Sequence, residues 1–434
     1  MIELKPHPYS AFACPRCGSG DHMHVDDLFL PGMHMFAACT CSGCELQFYH
    51  TLPVGHTVDV SFVIGKSDFK IDSRRIGYEW LSESVSKTFP VSEEPVIIRK
   101  TIYRECKDVI ILNALDFLYG HSLLKLYNAQ YHLDHDRHLG LVVVIPKIFE
   151  WMIPAGCSEV WIVDRPLQEL AKGYRAIAEF VSSELERFEK VFLSFAYSHP
   201  DYSSVDIEQY TGIRPFSLEE FYKQPPQFTF VLRQDRWWFE NRIAYWFYRV
   251  GRKLVLMSFA RRLLSLRQNR LVKRTIRKIR SKMPWARIYV VGLGTVGDFT
   301  GYAYDMRASK VDSAMEKTWC NIYSGSHVVI GFHGSNMLLP TAFAAGCIEV
   351  LPEDRYGNMV QDISVRYSDR KQLFFYRFVD QYASPRRVAE KAIAIVRDFR
   401  SYQASMCNNV YGREASTKIG QYDDSHHRQS ADVT

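Results

Sequence analysis

A chain of 434 residues is too long for one ordinary core, so two or three domains are expected. Its residues are 47% hydrophobic and 24% charged, the balance of a globular protein, and no uncharged apolar run reaches the roughly eighteen residues of a membrane-spanning helix. The net charge of +6 is local: residues 249–287 hold fourteen Lys and Arg and no acid, leaving 40 basic against 48 acidic residues elsewhere, a net of −8.

In chain order, the N-terminus shows no basic segment followed by an apolar core, and a cytoplasmic protein is expected. Five of the ten cysteines lie between positions 14 and 44. Cys14-Pro15-Arg16-Cys17 and Cys41-Ser42-Gly43-Cys44 form two Cys-x-x-Cys knuckles, the thiolate set of a tetrahedral zinc ion, and a segment this small needs such an ion to fold. The spacing resembles a zinc ribbon. A closed shell of Cys14, Cys17, Cys41 and Cys44 makes the zinc structural; Cys39 is an alternative ligand, and His22, His24 and His34 are expected on loops.

From residue 105 onward strands and helices alternate. Apolar runs at 108–112, 141–146, 159–164 and 191–194 read as strands, a helix starts near Tyr119-Gly120-His121, and a long helix is expected over 167–188. A break at Gln224-Pro225-Pro226-Gln227 separates a second series at 228–232, 288–291, 328–330 and 347–350. The expected fold class is therefore α/β, with two facing Rossmann-like domains and a small N-terminal zinc ribbon. The expected boundaries are 1–55 for the ribbon, 56–224 for a first Rossmann-like domain and 225–405 for a second one carrying a basic helical insertion at 242–287. Residues 406–434 are expected to form a disordered tail. The helix 385–400 is expected to cross back onto the first domain.

Several motifs carry chemistry. A strand that stops at His333-Gly334-Ser335-Asn336 and restarts as an apolar helix describes a phosphate cradle, in which helix N–H groups face an anion. Arg233-Gln234-Asp235-Arg236 follows a strand and suits a pyrophosphate clamp. Gly292-Leu293-Gly294-Thr295-Val296-Gly297 matches a dinucleotide fingerprint but lacks a helix start after it. Asp134-His135-Asp136 falls at the wrong end of a parallel sheet for a ligand. His121, Asp164 and Asp201 are the candidates for a general base. The basic segment 249–287 suits either an anionic membrane surface or a helix packed by one face; it lacks a nucleic-acid-binding motif.

Together the Tyr119-Gly120-His121 helix start, the Arg233 strand end and the segment Gly331 to Pro340 with Glu349 downstream resemble the family-61 glycosyltransferases over roughly residues 105–400. The resemblance implies a GT-B fold and inverting transfer from a nucleotide sugar to a glycan or lipid-linked acceptor in surface or secreted polysaccharide synthesis. Under it, Arg233, Arg236, His333, Gly334, Ser335 and Asn336 would hold the donor diphosphate without a metal. Glu349 would accept from donor hydroxyls, and His121 or Asp164 would take the acceptor proton. The enzyme would be cytoplasmic, peripheral at the inner face of a membrane. Where the family has a further arginine and Asn-Glu, this chain has Trp237-Trp238-Phe239-Glu240-Asn241. The reading from another class is a non-catalytic zinc-ribbon protein whose degenerate core and basic helix recruit a partner or nucleic acid.

Overall fold

The computed structural model describes residues 1–406 apart from positions 11, 21–22, 72–77, 204, 254–256 and 368. The tail expected to be disordered lies outside the described residues, as does His22. The strands are β1 (Ile2–Lys5), β2 (Met23–Phe29), β3 (Phe36–Cys41), β4 (Gln47–Thr51), β5 (Val63–Gly65), β6 (Ile97–Ile102), β7 (Asp108–Asn113) and β8 (Gly140–Pro146). They continue as β9 (Glu159–Asp164), β10 (Lys190–Leu193), β11 (Gln227–Leu232), β12 (Arg287–Leu293), β13 (Tyr304–Ala308), β14 (Val328–Phe332), β15 (Gly346–Leu351) and β16 (Tyr376–Asp380).

Two six-stranded sheets and one four-stranded sheet result. The first runs β1-β10-β7-β8-β9-β6, its four inner strands parallel and its two edges antiparallel. The second runs β13-β12-β11-β14-β15-β16 and is parallel throughout, the strand order of a doubly wound nucleotide-binding fold. The expected α/β class with two Rossmann-like units is what the chain adopts. Strands β8, β11, β14 and β15 are buried at every residue, because helices cover both faces and leave no polar alternation.

The third sheet, β2-β3-β4-β5, is antiparallel and carries the cysteine knuckles. It continues to Gly65, whereas β1 leaves it to pair with β10. One apolar cluster joins this module (Leu30, Met35, Val54) to the first sheet (Ile111, Val143) and to the near face of the second (Val329, Leu338, Phe343). A second cluster fills the far side of the second sheet.

Three expectations are corrected. The long helix over 167–188 is a short 3-10 segment, Leu167–Ala171, and a helix, Arg175–Leu185. Between them the backbone is diverted at Gly173, whose carbonyl accepts from Ser92 N; a Cβ there would lie 2.7 Å from Thr88 O. The C-terminal helix Pro385–Met406 does not cross back: Val388, Ala392, Ile395 and Phe399 fill the second unit's own core. His24 lies in β2 and not on a loop; His34 is on the loop between β2 and β3 as expected, buried against Ser84 Oγ at 3.1 Å, and burial pushes its imidazole down to about 3. The basic segment forms two helices, Arg242–Lys253 and Met257–Arg280. The second buries Leu271, Val272, Ile276 and Ile279, while Ile243, Trp246 and Leu263 stay exposed.

Candidate functional site

The N-terminal module gathers Cys14, Cys17, Cys41 and Cys44, one Sγ from each lying within 4.8 Å of the others. Cys14 and Cys44 sulfurs are 3.5 Å apart and those of Cys17 and Cys41 3.6 Å. A tetrahedral ion at a Zn–S distance of about 2.3 Å sets sulfurs near 3.8 Å from one another, so the residues fit the ion that the sequence implies. Each knuckle closes on its own backbone: Gly18 N donates to Cys14 O, and Glu45 N to Cys41 O. Burial opposes ionisation of Cys14, yet the amides of Cys17 and Arg16 bring its thiol down to about 6, while hydrogen bonds among the four sulfurs help push Cys17 up and Cys44 up to about 11. Cys39 stands apart, with its Sγ against Ala37 O at 3.7 Å.

In an open parallel sheet, ligands bind beyond the carboxyl ends of the strands where the strand order reverses. In the second sheet that point lies between β11 and β14. The loop after β11 supplies Arg233 and Arg236; the loop after β14 supplies His333 to Asn336. Arg233 forks onto both carboxylate oxygens of Asp235 and donates a third bond to Asn336 Oδ1. Arg236 donates to the carbonyl of His333. Gly334 has φ +144, and Arg233 NH1 occupies the place where a Cβ would go, so glycine is required there twice over. A third guanidinium, Arg355, acts on both Arg236 and His333; its buried Nε makes no hydrogen bond.

Two of the expected donor ligands face inward. His333 is 1% exposed, with Nδ1 3.0 Å from Glu349 Oε2 and Nε2 3.3 Å from Asp362 Oδ2. Glu349 lies under the loop with no exposed side-chain surface, so it braces His333 and does not line the cleft. Burial, and next Asp362, push the Glu349 carboxyl well up; burial also raises Asp362 and lowers His333. The helix expected after the loop is a 3-10 turn, Ser335–Met337, followed by only six residues, Leu338–Phe343. So short a helix has a weak dipole, and the positive charge at this loop comes from the guanidinium groups instead.

In the first sheet the order reverses between β10 and β7. The loop after β7 leads to Asp116 and the helix Tyr119–His135; the loop after β10 leads to His199. His121 Nδ1 lies 3.6 Å from Asp116 Oδ1, and Asp116 Oδ2 lies 2.9 Å from Lys125 Nζ, the last two side chains almost fully buried. Burial acts to raise Asp116, but Lys125 and His121 outweigh it and hold the carboxyl far below the usual range. His56 Nε2 is 3.3 Å from His121 Nδ1; burial, then His121 and Lys125, push His56 down to about 3.

The two reversal points meet. Gly120 packs on the His333 loop so closely that a Cβ would lie 2.5 Å from Ser335 Cβ. Beside that contact, Tyr119 OH and Trp151 Nε1 of the first unit donate to Glu316 of the second.

Other candidates lie elsewhere. Asp164 ends β9, two strands from β7, and is paired with Lys147 at 2.5 Å. Asp201 accepts from Ser203 Oγ and N. Asp136 accepts from or shares a proton with His132 Nδ1 at 2.8 Å, at the amino end of β8. The Gly292 to Gly297 stretch leads from β12 to β13 with no helix between, which removes the dinucleotide reading; Asn269 and Arg307 take its carbonyls. Asn241 Oδ1 accepts from Ala244 N at the start of a basic helix. Sequence reasoning missed Asp362, Arg355, Asp116, His56 and His199. Asp116 and His199 follow strands that were recognised, and the strand-end rule applied to them would have found both.

No protein-family model matches the chain, and no curated protein matches it. Among solved structures it is similar to one assigned as a UDP-N-acetylglucosamine 2-epimerase from Listeria monocytogenes, at 9% identity, covering 73% of this chain and 76% of that one, with a TM-score of 0.28. A likeness that low carries no weight for fold or function.

Proposed function

We propose that the chain is a glycosyltransferase that moves a sugar from a nucleotide-sugar donor to a hydroxyl of a glycan or lipid-linked acceptor. One observation carries this reading: the strand-order reversal points of two parallel sheets abut at Gly120 and Ser335, with guanidinium groups on one wall and imidazoles on the other. Arg236, Arg355 and Arg233 would take the diphosphate, Arg233 by exchanging Asp235 for phosphate oxygens. Ser335 and Asn336 are the half-buried polar groups of the same loop, and the buried Asn336 Nδ2 makes no hydrogen bond in the protein. His333, clamped by Glu349 and Asp362, would keep its carbonyl on Arg236 and so hold the clamp in place. Fixed positive charge aimed at the leaving diphosphate stabilises the charge that develops as the sugar departs. The imidazoles around His121 would face the acceptor hydroxyl.

The test is a thermal-shift panel of nucleoside diphosphates and nucleotide sugars on wild type and Arg236→Ala. The expected result is stabilisation by one nucleotide class, with affinity about ten- to a hundredfold weaker in the variant, the loss that follows a missing charge-assisted bond. A panel with no response from wild type would overturn the reading and favour the recruiting protein.

A further inference from the structure

The histidines on the acceptor wall come from three separate places. His56 stands on the single turn Gly55–Thr57 between β4 and β5 of the cysteine module, His121 on the first turn of Tyr119–His135, and His199 in the loop after β10. One ring nitrogen from each lies within 4.8 Å of the other two. His56 Nε2 and His121 Nδ1 are 3.3 Å apart, and two nitrogens held at about 2.1 Å by one tetrahedral ion are about 3.4 Å apart. The three ring planes cross at 60° to 86°, so nitrogens converge and no pair of rings stacks.

The surroundings hold these rings in place. Asp116 Oδ1 lies 3.6 Å from the same His121 Nδ1, Gln361 Nε2 lies 3.0 Å from His199 Nε2, and Trp80 meets the His56 ring edge-on at 5.0 Å. The turn bearing His56 approaches closely only because residue 55 is glycine: it has φ +61, and a Cβ would lie 2.8 Å from Lys125 Cε.

We propose that His56, His121 and His199 bind a divalent transition-metal ion of the zinc class, with one coordination position open to the cleft. Imidazole nitrogens select zinc, cobalt, nickel or copper over magnesium and calcium. Three protein ligands with a fourth place free is the arrangement of reactive zinc, unlike the closed shell of four cysteines. On the transferase reading, an ion held by these three imidazoles would supply a Lewis acid that makes the proton of an acceptor hydroxyl more acidic. The acceptor oxygen then bonds to the anomeric carbon as the carbon–oxygen bond to the donor phosphate breaks. The diphosphate leaves with that bonding pair, and the hydroxyl proton passes to solvent.

Full-length protein stripped by a chelator is titrated with Co²⁺, followed by absorption and by metal analysis. Two classes of site are expected, about one equivalent each: one with intense sulfur-to-cobalt charge transfer at the cysteines, one with only weak visible bands. His56→Gln and His199→Gln would each weaken the second class by at least about a hundredfold and leave the first unchanged, which also reports that the fold stands. A single equivalent, with the cysteine spectrum alone in wild type and variants, would overturn the proposal and leave three hydrogen-bonded imidazoles. Because the readout is bound metal, this result is independent of the nucleotide panel.

Discussion

At the scale of single residues, the most informative group is Glu349. It is a carboxyl with no exposed surface, beside His333 and near Asp362, and burial pushes it well above the ordinary range. A buried carboxyl next to a second acid and a neutral imidazole is more stable protonated, and a glutamine has nearly the shape of the neutral acid. Glu349→Gln is therefore expected to cost less than about 1 kcal/mol, and Glu349→Ala about 2–4 kcal/mol, from the cavity plus the orphaned His333 nitrogen. Urea denaturation measures both. Equal losses would mean that Glu349 is ionised and pairs with a charged His333. The sequence assigned both His333, just after β14, and Glu349, in the adjacent β15, to the ligand, and not to each other. Whether a side chain at a strand end turns toward the cleft or beneath its loop depends on what packs on that loop. For His333 this is Asp362, and no spacing in the chain announces it.

At the scale of elements, the strands that were legible are the inner strands of the two six-stranded sheets. β7, β8, β9, β10, β11, β12, β14 and β15 show short apolar runs because they are flanked by strands and covered by helices, even where Thr229 and Glu349 interrupt β11 and β15. β13 and β16 were not legible, since both are half-exposed edges with charged residues such as Arg307 and Arg377. The contact between helix Tyr119–His135 and helix Ser313–Ser324 was equally hidden, although it is a main polar tie between the two units. There Glu316 accepts from Tyr119 and from Trp151 Nε1 at 3.0 Å. Burial dominates, and despite both bonds it pushes the carboxyl up to about 7. An acid whose folded-state value is raised binds more protons folded than unfolded, so its contribution is complete below the unfolded value and declines as pH rises. Relative to Glu316→Gln, wild type is expected to lose stability between about pH 4.3 and about pH 7, by on the order of 3 kcal/mol. Denaturation midpoints of the two proteins across that range should diverge toward high pH. Parallel curves would mean that water reaches Glu316 and relieves its burial.

At the scale of the whole molecule, the question is whether two Rossmann-like units and a cysteine module behave as three bodies or one. The largest apolar cluster answers in structural terms. It takes Leu30, Met33 and Met35 from the module, Ile111 and Val143 from the first sheet, and Val329, Leu338 and Phe343 from the second. Units that only touch through a polar cleft would melt separately, whereas a shared apolar core couples them. Met33 and Met35 precede β3, whose last residue is Cys41, so the order of that core depends on the four thiolates being held together. Binding energy for an ion in such a shell is folding energy, and removing it releases the module from the core. Calorimetry of the metal-loaded protein is expected to show both α/β units in one transition. Cys17→Ser, which breaks the cysteine shell and spares the histidines, should lower that transition by at least about 2 °C, the response of a cooperative unit of roughly 400 residues to a loss of about two kcal/mol. If the variant instead sheds a small early transition and leaves the main one in place, the module is an appendage. The path from the cysteines through the turn at Gly55 to His56 would then carry no mechanical coupling to the cleft.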